Sequence, residues 1–284
     1  MQFVITGAAG MLGQDLAAVA RSAGHDVLAF ARAELDISDR GALEAVLGAA
    51  EADVVFNCAA WTDVDGAESS PGGALAVNGA GAGNVARAAA ASGAWTVHVS
   101  TDYVFDGTKR APWVESDPVA PVSSYGRSKL AGEREVAAEA PGRHTIVRTS
   151  WLFGAGGPCF PATILRLAET RDELKVVDDQ IGCPTFTGHL AQALVDLAAR
   201  ESRPVGVLHV AGGGSCSWYE FAREIVAASG VSCEVQTCRT DEMPRPATRP
   251  AYSVLGSERD APVLPDWRRG LAEYVALTGV VSPR

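Results

Sequence analysis

Short apolar, β-branched runs alternate along this chain with longer alanine-rich segments whose apolar positions recur at helical spacing. Gln2–Thr6, Asp26–Phe30, 53–57, Trp95–Thr101 and His144–Thr149 are read as strands, with helices between them. Such alternation predicts an α/β fold, a doubly wound parallel sheet with right-handed crossovers and helices on both faces. Beyond Thr149 the rhythm loosens. Residues 154–158 are glycine-rich loop, and helices are expected near 161–170, 188–200 and 218–229. The last of these has a capping box in Ser217 and Glu220 and a stop at Gly230. Residues 243–250 hold three prolines and read as extended loop. The chain thus divides into a main domain over 1–150 and a smaller lobe over 151–284, some of whose segments return to the main domain.

The first strand runs into Gly7-Ala-Ala-Gly10-Met11-Leu12-Gly13, and a helix begins at about Met11. Glycines permit a tight strand-to-helix turn and close approach of a pyrophosphate to the helix N-terminus. Any tight turn of this kind favours glycine, but this one opens a βαβ unit, where dinucleotide binding is the expected use. The main domain therefore reads as Rossmann-type. A carboxylate that would hold a ribose 2′-hydroxyl belongs at the end of the second strand, and the chain has Ala29-Phe30-Ala31-Arg32 there. Arg32 is either a solvated loop arginine or an acceptor of a 2′-phosphate. The second reading favours NADPH, with NADH left open.

Tyr125 and Lys129 stand four apart in VSSYGRSKLAGE, one turn apart on one helix face, with Ser123 or Ser124 as the cap. Such a pair is most often a solvated face. Its place after a strand ending in Ser100-Thr101-Asp102 argues otherwise, because ligands of parallel sheets sit at strand C-termini.

Composition narrows the function further. The 284 residues are 47% hydrophobic, enough for a sizeable core, and the formal net charge of −10 disfavours a general nucleic-acid binder. The six cysteines form no C-x-x-C pair or zinc spacing, so free thiols in a reducing cytoplasm are expected, with no metal centre. The chain begins on a strand without a basic leader, and apolar stretches such as 86–94 are too short to span a bilayer. A cytoplasmic protein with no membrane partner is expected.

With the glycine turn, Asn57-Cys-Ala-Ala60, Ser100-Thr101 and Tyr125-x-x-x-Lys129, the chain resembles the extended short-chain dehydrogenase/reductases. Several stretches are similar to the dTDP-4-dehydrorhamnose reductase family in particular. They are residues 57–65, 100–107, 125–133, 148–151 and 179–185, with Trp218 and Thr248-Arg249-Pro250. The resemblance implies hydride transfer to the C4 ketone of a dTDP-4-keto-6-deoxysugar. Tyr125 would be the general acid, Lys129 the cation that lowers the phenol pKa and holds the nicotinamide ribose, and Thr101 the donor that positions the ketone. Asp102 would bond sugar hydroxyls, or else cap a turn. Val99, Ala60, Trp61 and Thr62 would line the cofactor, although Trp61 replaces a more usual histidine. Asp36 and Ile37 would contact adenine, Asp36 being equally placed to cap a helix. Trp151 and Trp218 would wall the deoxysugar or thymine, and Arg249 would pair with the substrate pyrophosphate.

Three rivals share the fold. A 4,6-dehydratase would carry Thr-Asp-Glu where this chain has Thr101-Asp102-Tyr103. An epimerase would use the same Tyr and Lys with retained NAD. A non-catalytic subunit, like the regulatory subunit of methionine adenosyltransferase, would not need the intact Thr101, Tyr125 and Lys129. A 4-ketoreductase for another dTDP-deoxysugar also fits. Oligomeric state stays open, a homodimer included.

Overall fold

A computed structural model describes residues 1–279. Five strands, β1 (Gln2–Thr6), β2 (Asp26–Phe30), β3 (Val54–Asn57), β4 (Trp95–Thr101) and β5 (His144–Thr149), coincide with the expected runs to within one residue. A sixth, Gly206–His209, joins beside β5, so the sheet order is Gly206–His209, β5, β4, β3, β1, β2. Every pairing in it is parallel. The strand order reverses at β1, whose neighbours are β2 and β3. The crevice beyond the C-terminal ends of β1 and β3 is therefore the place where such sheets bind ligands.

Helices α1 (Met11–Ser22), α2 (Arg40–Ala49), α3 (Val64–Ser69), α4 (Pro71–Leu75), α5 (Ala82–Ala91) and α6 (Ser124–Glu139) belong to the first 150 residues. Helices α7 (Phe160–Ala168), α8 (Thr187–Ala198), α9 (Trp218–Ser229) and α10 (Trp267–Thr278) come after them. The sheet is buried on both faces, which is why its strands read as near-continuous apolar runs. Leu12 and Leu16 of α1 and Leu190 and Leu194 of α8 cover Phe3, Ile5, Val54 and Phe56. Leu43 and Leu47 of α2 and Val85 of α5 cover Val4 and Val55 on the other side. A separate core around Phe153, Phe186, Phe221, Trp267 and Tyr274 holds the later helices together. Thr187–His209, which supplies α8 and the sixth strand, thus belongs to the sheet although it lies beyond residue 150. No helix among the described residues is long and apolar enough to cross a membrane.

Neither the sixth strand nor one helical element was foreseen. Residues Ala76–Gly81 form a π-helical turn between α4 and α5. Helix α6 crosses it closely: a Cβ on Gly132 would lie 2.0 Å from the carbonyl oxygen of Asn78. Only glycine fits there, so the C-terminal half of the VSSYGRSKLAGE pattern is a packing requirement.

Candidate active site

The floor of the site is the turn after β1. Gly7 has φ +70°, and a Cβ on Gly13 would come within 2.5 Å of the Gly7 carbonyl oxygen. The bend therefore requires glycine at both positions. Gly10 caps α1 without any side-chain hydrogen bond, and the first turn has no acidic residue. By contrast α2, α3, α6 and α9 are each capped by an Asp or Ser oxygen. The uncapped N–H groups and the helix dipole of α1 thus point at open space, as an anion site needs. From this turn a cleft of ≈ 480 Å³ runs to Tyr125, with Ala60, Thr62, Val99 and Trp151 along its walls. Its size, glycine floor and uncapped helix fit a dinucleotide. Gly7→Val is expected to abolish cofactor binding, measured by fluorescence titration with NADPH, because the side chain has no room and φ is positive.

The catalytic face is set by α6. Ser123 is the cap, its Oγ accepting from Gly126 N at 3.1 Å, which directs Tyr125 and Lys129 into the cleft. Lys129 is 2% exposed, and its Nζ donates to the Val99 carbonyl at 2.6 Å. Burial pulls the ammonium down to about 8, while Glu133 one turn along opposes the shift. Tyr125 is half-buried beside the Tyr103 ring, the two at 80° with centroids 5.7 Å apart. Burial pushes its phenol up to about 12, the Thr101 hydroxyl opposing this and Asp102 adding to it. Desolvation at the phenol outweighs any lowering by Lys129, whose ammonium is anchored on β4.

Thr101 Oγ1 accepts from Tyr103 N at 3.2 Å and contacts Asp102 Oδ1 at 3.0 Å. Asp102 is 2% exposed, its Oδ2 has no hydrogen-bond partner, and burial raises its pKa to about 7.

Behind these residues lies a buried ion pair that sequence reading missed. Arg148 Nε and Nη2 donate to Glu133 Oε1 and Oε2 at 2.9 and 2.7 Å, and Ser100 Oγ donates to Oε1 at 2.6 Å. It ties α6, β5 and the end of β4 together. Asn78 is a second missed residue. Its amide accepts from Trp61 N at 2.8 Å and donates to Trp61 O at 3.0 Å and to Ser128 Oγ at 2.9 Å. The Ala60–Thr62 segment is therefore held to the turn of α6 that carries Tyr125. The glycine strap 156–158 also lines the cleft, and Gln14 Nε2 donates to Gly156 O at 3.0 Å.

Other expected residues lie elsewhere. The side chain of Ile37 is in the core, and only its carbonyl, which accepts from Asn84 Nδ2, has a polar contact. Asp36 holds Ser38 N and Oγ at 2.9 and 2.7 Å, a local turn, and pairs with Arg32 at 3.2 Å. The Trp61 backbone N–H and carbonyl are both taken by Asn78, and its indole donates to Asp63 O. Trp218 does not reach the cleft. It stacks flat against Trp151, centroids 3.5 Å apart and planes within 5°. Arg249 is bidentate to Asp65 at 2.5 and 2.9 Å, so its fork is already engaged. No cluster of three or more His, Cys, Asp or Glu able to hold a metal occurs among the described residues.

The chain as a whole has close counterparts. The family described as RmlD substrate binding domain matches residues 1–279. A dTDP-4-dehydrorhamnose reductase of Mycolicibacterium smegmatis is 45% identical over 282 residues, 97% of this chain and 85% of that protein. The chain belongs to the dTDP-4-dehydrorhamnose reductase family. Within the family, a Bacillus anthracis reductase solved in complex with NADP superposes with a TM-score of 0.92 at 36% identity, covering 97% of this chain and 99% of that one. A dTDP-4-keto-6-deoxy-D-glucose reductase of Streptomyces niveus is 40% identical over 97% of each chain. For this family member the cofactor turn, Thr101, Tyr125 and Lys129 are all in one cleft.

Proposed function

We propose that this protein reduces the C4 ketone of a dTDP-4-keto-6-deoxyhexose with NADPH, dTDP-4-dehydro-L-rhamnose being the substrate of first choice. The observation that carries this reading is the meeting of Thr101, Tyr125 and Lys129 in the cleft that the glycine turn floors. A bound nicotinamide would supply hydride to C4. The alkoxide that develops there requires a proton, and Tyr125, protonated at neutral pH, is the acid on hand. The Thr101 hydroxyl fixes the oxygen to be protonated, and the Lys129 ammonium stabilises the phenolate that results. The α1 N-terminus and the backbone of Ala60 and Thr62 hold the dinucleotide phosphates and ribose. The Asp65–Arg249 pair fastens the 243–250 loop to α3, and Arg245 lies 4.0 Å from the same carboxylate. Two guanidinium groups on one carboxylate leave a positive surplus that suits the substrate pyrophosphate. The lobe after residue 150 would carry the sugar nucleotide, with Trp151 as its wall.

Oxidation of NADPH by dTDP-4-dehydro-L-rhamnose, with the 4-keto-D-sugar and other dTDP-ketohexoses in parallel, tests the reading. Absence of turnover with every ketohexose would exclude it, and turnover of another ketohexose alone would assign the chain to that sugar, as in the Streptomyces niveus relative. Cofactor choice rests on Arg32, whose side chain is 81% exposed and held only by Asp36 one turn on. Such a pair costs little to break. Arg32→Ala is therefore expected to raise Kd for NADPH about tenfold with little change for NADH, a charge-assisted contact being worth that much. Equal effects on both cofactors would remove Arg32 from 2′-phosphate recognition.

A further inference from the structure

Hydrogen-bond bookkeeping at Thr101 leads to a role for the neighbouring carboxyl. A threonine hydroxyl donates one hydrogen bond and accepts two. Oγ1 of Thr101 already accepts from the backbone N–H of Tyr103 at 3.2 Å, contacts Asp102 Oδ1 at 3.0 Å, and reaches the Tyr125 phenol at the cleft. If Asp102 is ionised it can only accept, so the Thr101 hydrogen must point at the carboxylate. The hydroxyl then has no hydrogen left for a ligand in the cleft. If Asp102 is neutral the direction reverses: the acid donates, both Thr101 lone pairs are filled, and its hydrogen is released toward the cleft.

The surroundings favour the neutral form. Asp102 is 2% exposed and its Oδ2 is buried without a partner, a costly arrangement for a carboxylate and a mild one for an acid. The groups facing it are the phenols of Tyr103 and Tyr125, the Cys183 thiol and the hydroxyls of Thr101 and Ser253. None is a cation at neutral pH; the Ser253 and Thr101 hydroxyls and the Asp102 and Tyr103 backbone N–H groups favour the carboxylate, but burial outweighs them. Its pKa, raised to about 7 chiefly by burial, agrees with this.

We propose that Asp102 works as a neutral carboxylic acid that donates to Thr101 Oγ1 and so aims the Thr101 hydrogen at the substrate carbonyl oxygen. Asp102 is then a positioning residue acting through Thr101. It titrates as a switch, since ionisation turns the Thr101 hydrogen away from the ketone. This rests on the ketone reduction proposed above, and it goes further by assigning a protonation state to the site.

The direction with pH is fixed. The folded protein keeps a proton on Asp102 between its ordinary carboxyl range and about 7, where the unfolded chain does not. Stability therefore declines as pH rises through that interval, and Thr101 loses its donor orientation as pH rises through about 7. Asp102→Asn keeps an N–H donor for Thr101 that never ionises, whereas Asp102→Ala supplies none. With wild type, kcat is expected to fall as pH rises through about 7, before the separate loss of the Lys129 charge near 8. In Asp102→Asn the first fall should vanish, with kcat at about pH 6 within about threefold of wild type, while Asp102→Ala loses about tenfold or more. Infrared difference spectra of the substrate-free protein should show a protonated carboxyl stretch that titrates near 7 and is missing from Asp102→Asn. Loss of activity in Asp102→Asn equal to that in Asp102→Ala would overturn the proposal, as would absence of the titrating stretch in a wild-type protein that turns over. The stretch present in a protein that reduces no ketohexose would instead overturn the reductase reading alone.

Discussion

Tyr125→Phe is expected to lower kcat by about 10²- to 10⁴-fold, the usual contribution of a positioned general acid. The substitution removes one oxygen and little else. The ring keeps its edge-on contact with Tyr103, and the Ser123 cap that orients the helix is untouched. Fold and cofactor affinity should therefore persist, so the loss should appear in kcat with the Kd for NADPH changed little. Single-turnover rates with saturating cofactor measure it directly. The high pKa of the phenol sharpens the expectation. A group held near 12 is fully protonated over the working range, so Tyr125 is ready as a donor and unready as a base. A loss below about tenfold, or roughly 1.4 kcal/mol of barrier, would show that the proton comes from elsewhere.

The second large effect lies in the ion pair behind the cleft. Arg148→Met is expected to destabilise the protein by about 3–5 kcal/mol, because it leaves Glu133 charged, buried and unpaired. Both side chains are 5% exposed, and Ser100 alone would remain on the carboxylate. The observable is the urea midpoint at unchanged m-value. Combining the change with Glu133→Gln should recover at least half of the loss, since a neutral amide tolerates burial and still accepts from Ser100. If the double variant were no more stable than Arg148→Met, lost packing of the guanidinium on Phe105, 5.2 Å away, would be the cause instead.

These two residues show where reading from sequence succeeds and where it stops. The glycine turn, Ser123 and the Tyr125–Lys129 spacing are local patterns, each confined to one element or one turn, and they appear in the structure as read. Arg148 and Glu133 lie 15 residues apart, and Ser100 is 33 from Glu133. Only the register of β4 beside β5, with α6 packed above, brings the three together. Asp65 and Arg249 are 184 residues apart, and neither carries a local sign of its partner. Asn78 gave a weaker signal: a polar residue inside an alanine- and glycine-rich helical stretch. Arg249 shows the same limit from the other side, since its charge is legible in the sequence and its pairing with Asp65 is not. The flat Trp151–Trp218 stack likewise depends on a strand turn and a capped helix meeting.

The π-turn at Ala76–Gly81 bears on how this chain can change over generations. It holds one residue more than an α-helical path between the same ends would need. Removing one residue there would restore a regular helix between the same ends, but would abolish the widened turn that carries Asn78. Asn78 would then swing away from Trp61 and Ser128, and the two sides of the cleft would lose their common tether. Point substitutions along the exposed side of this segment should be tolerated in descendants of the chain, while shortening or lengthening it should not. Exposed loops tolerate a change of length; this stretch must keep its count.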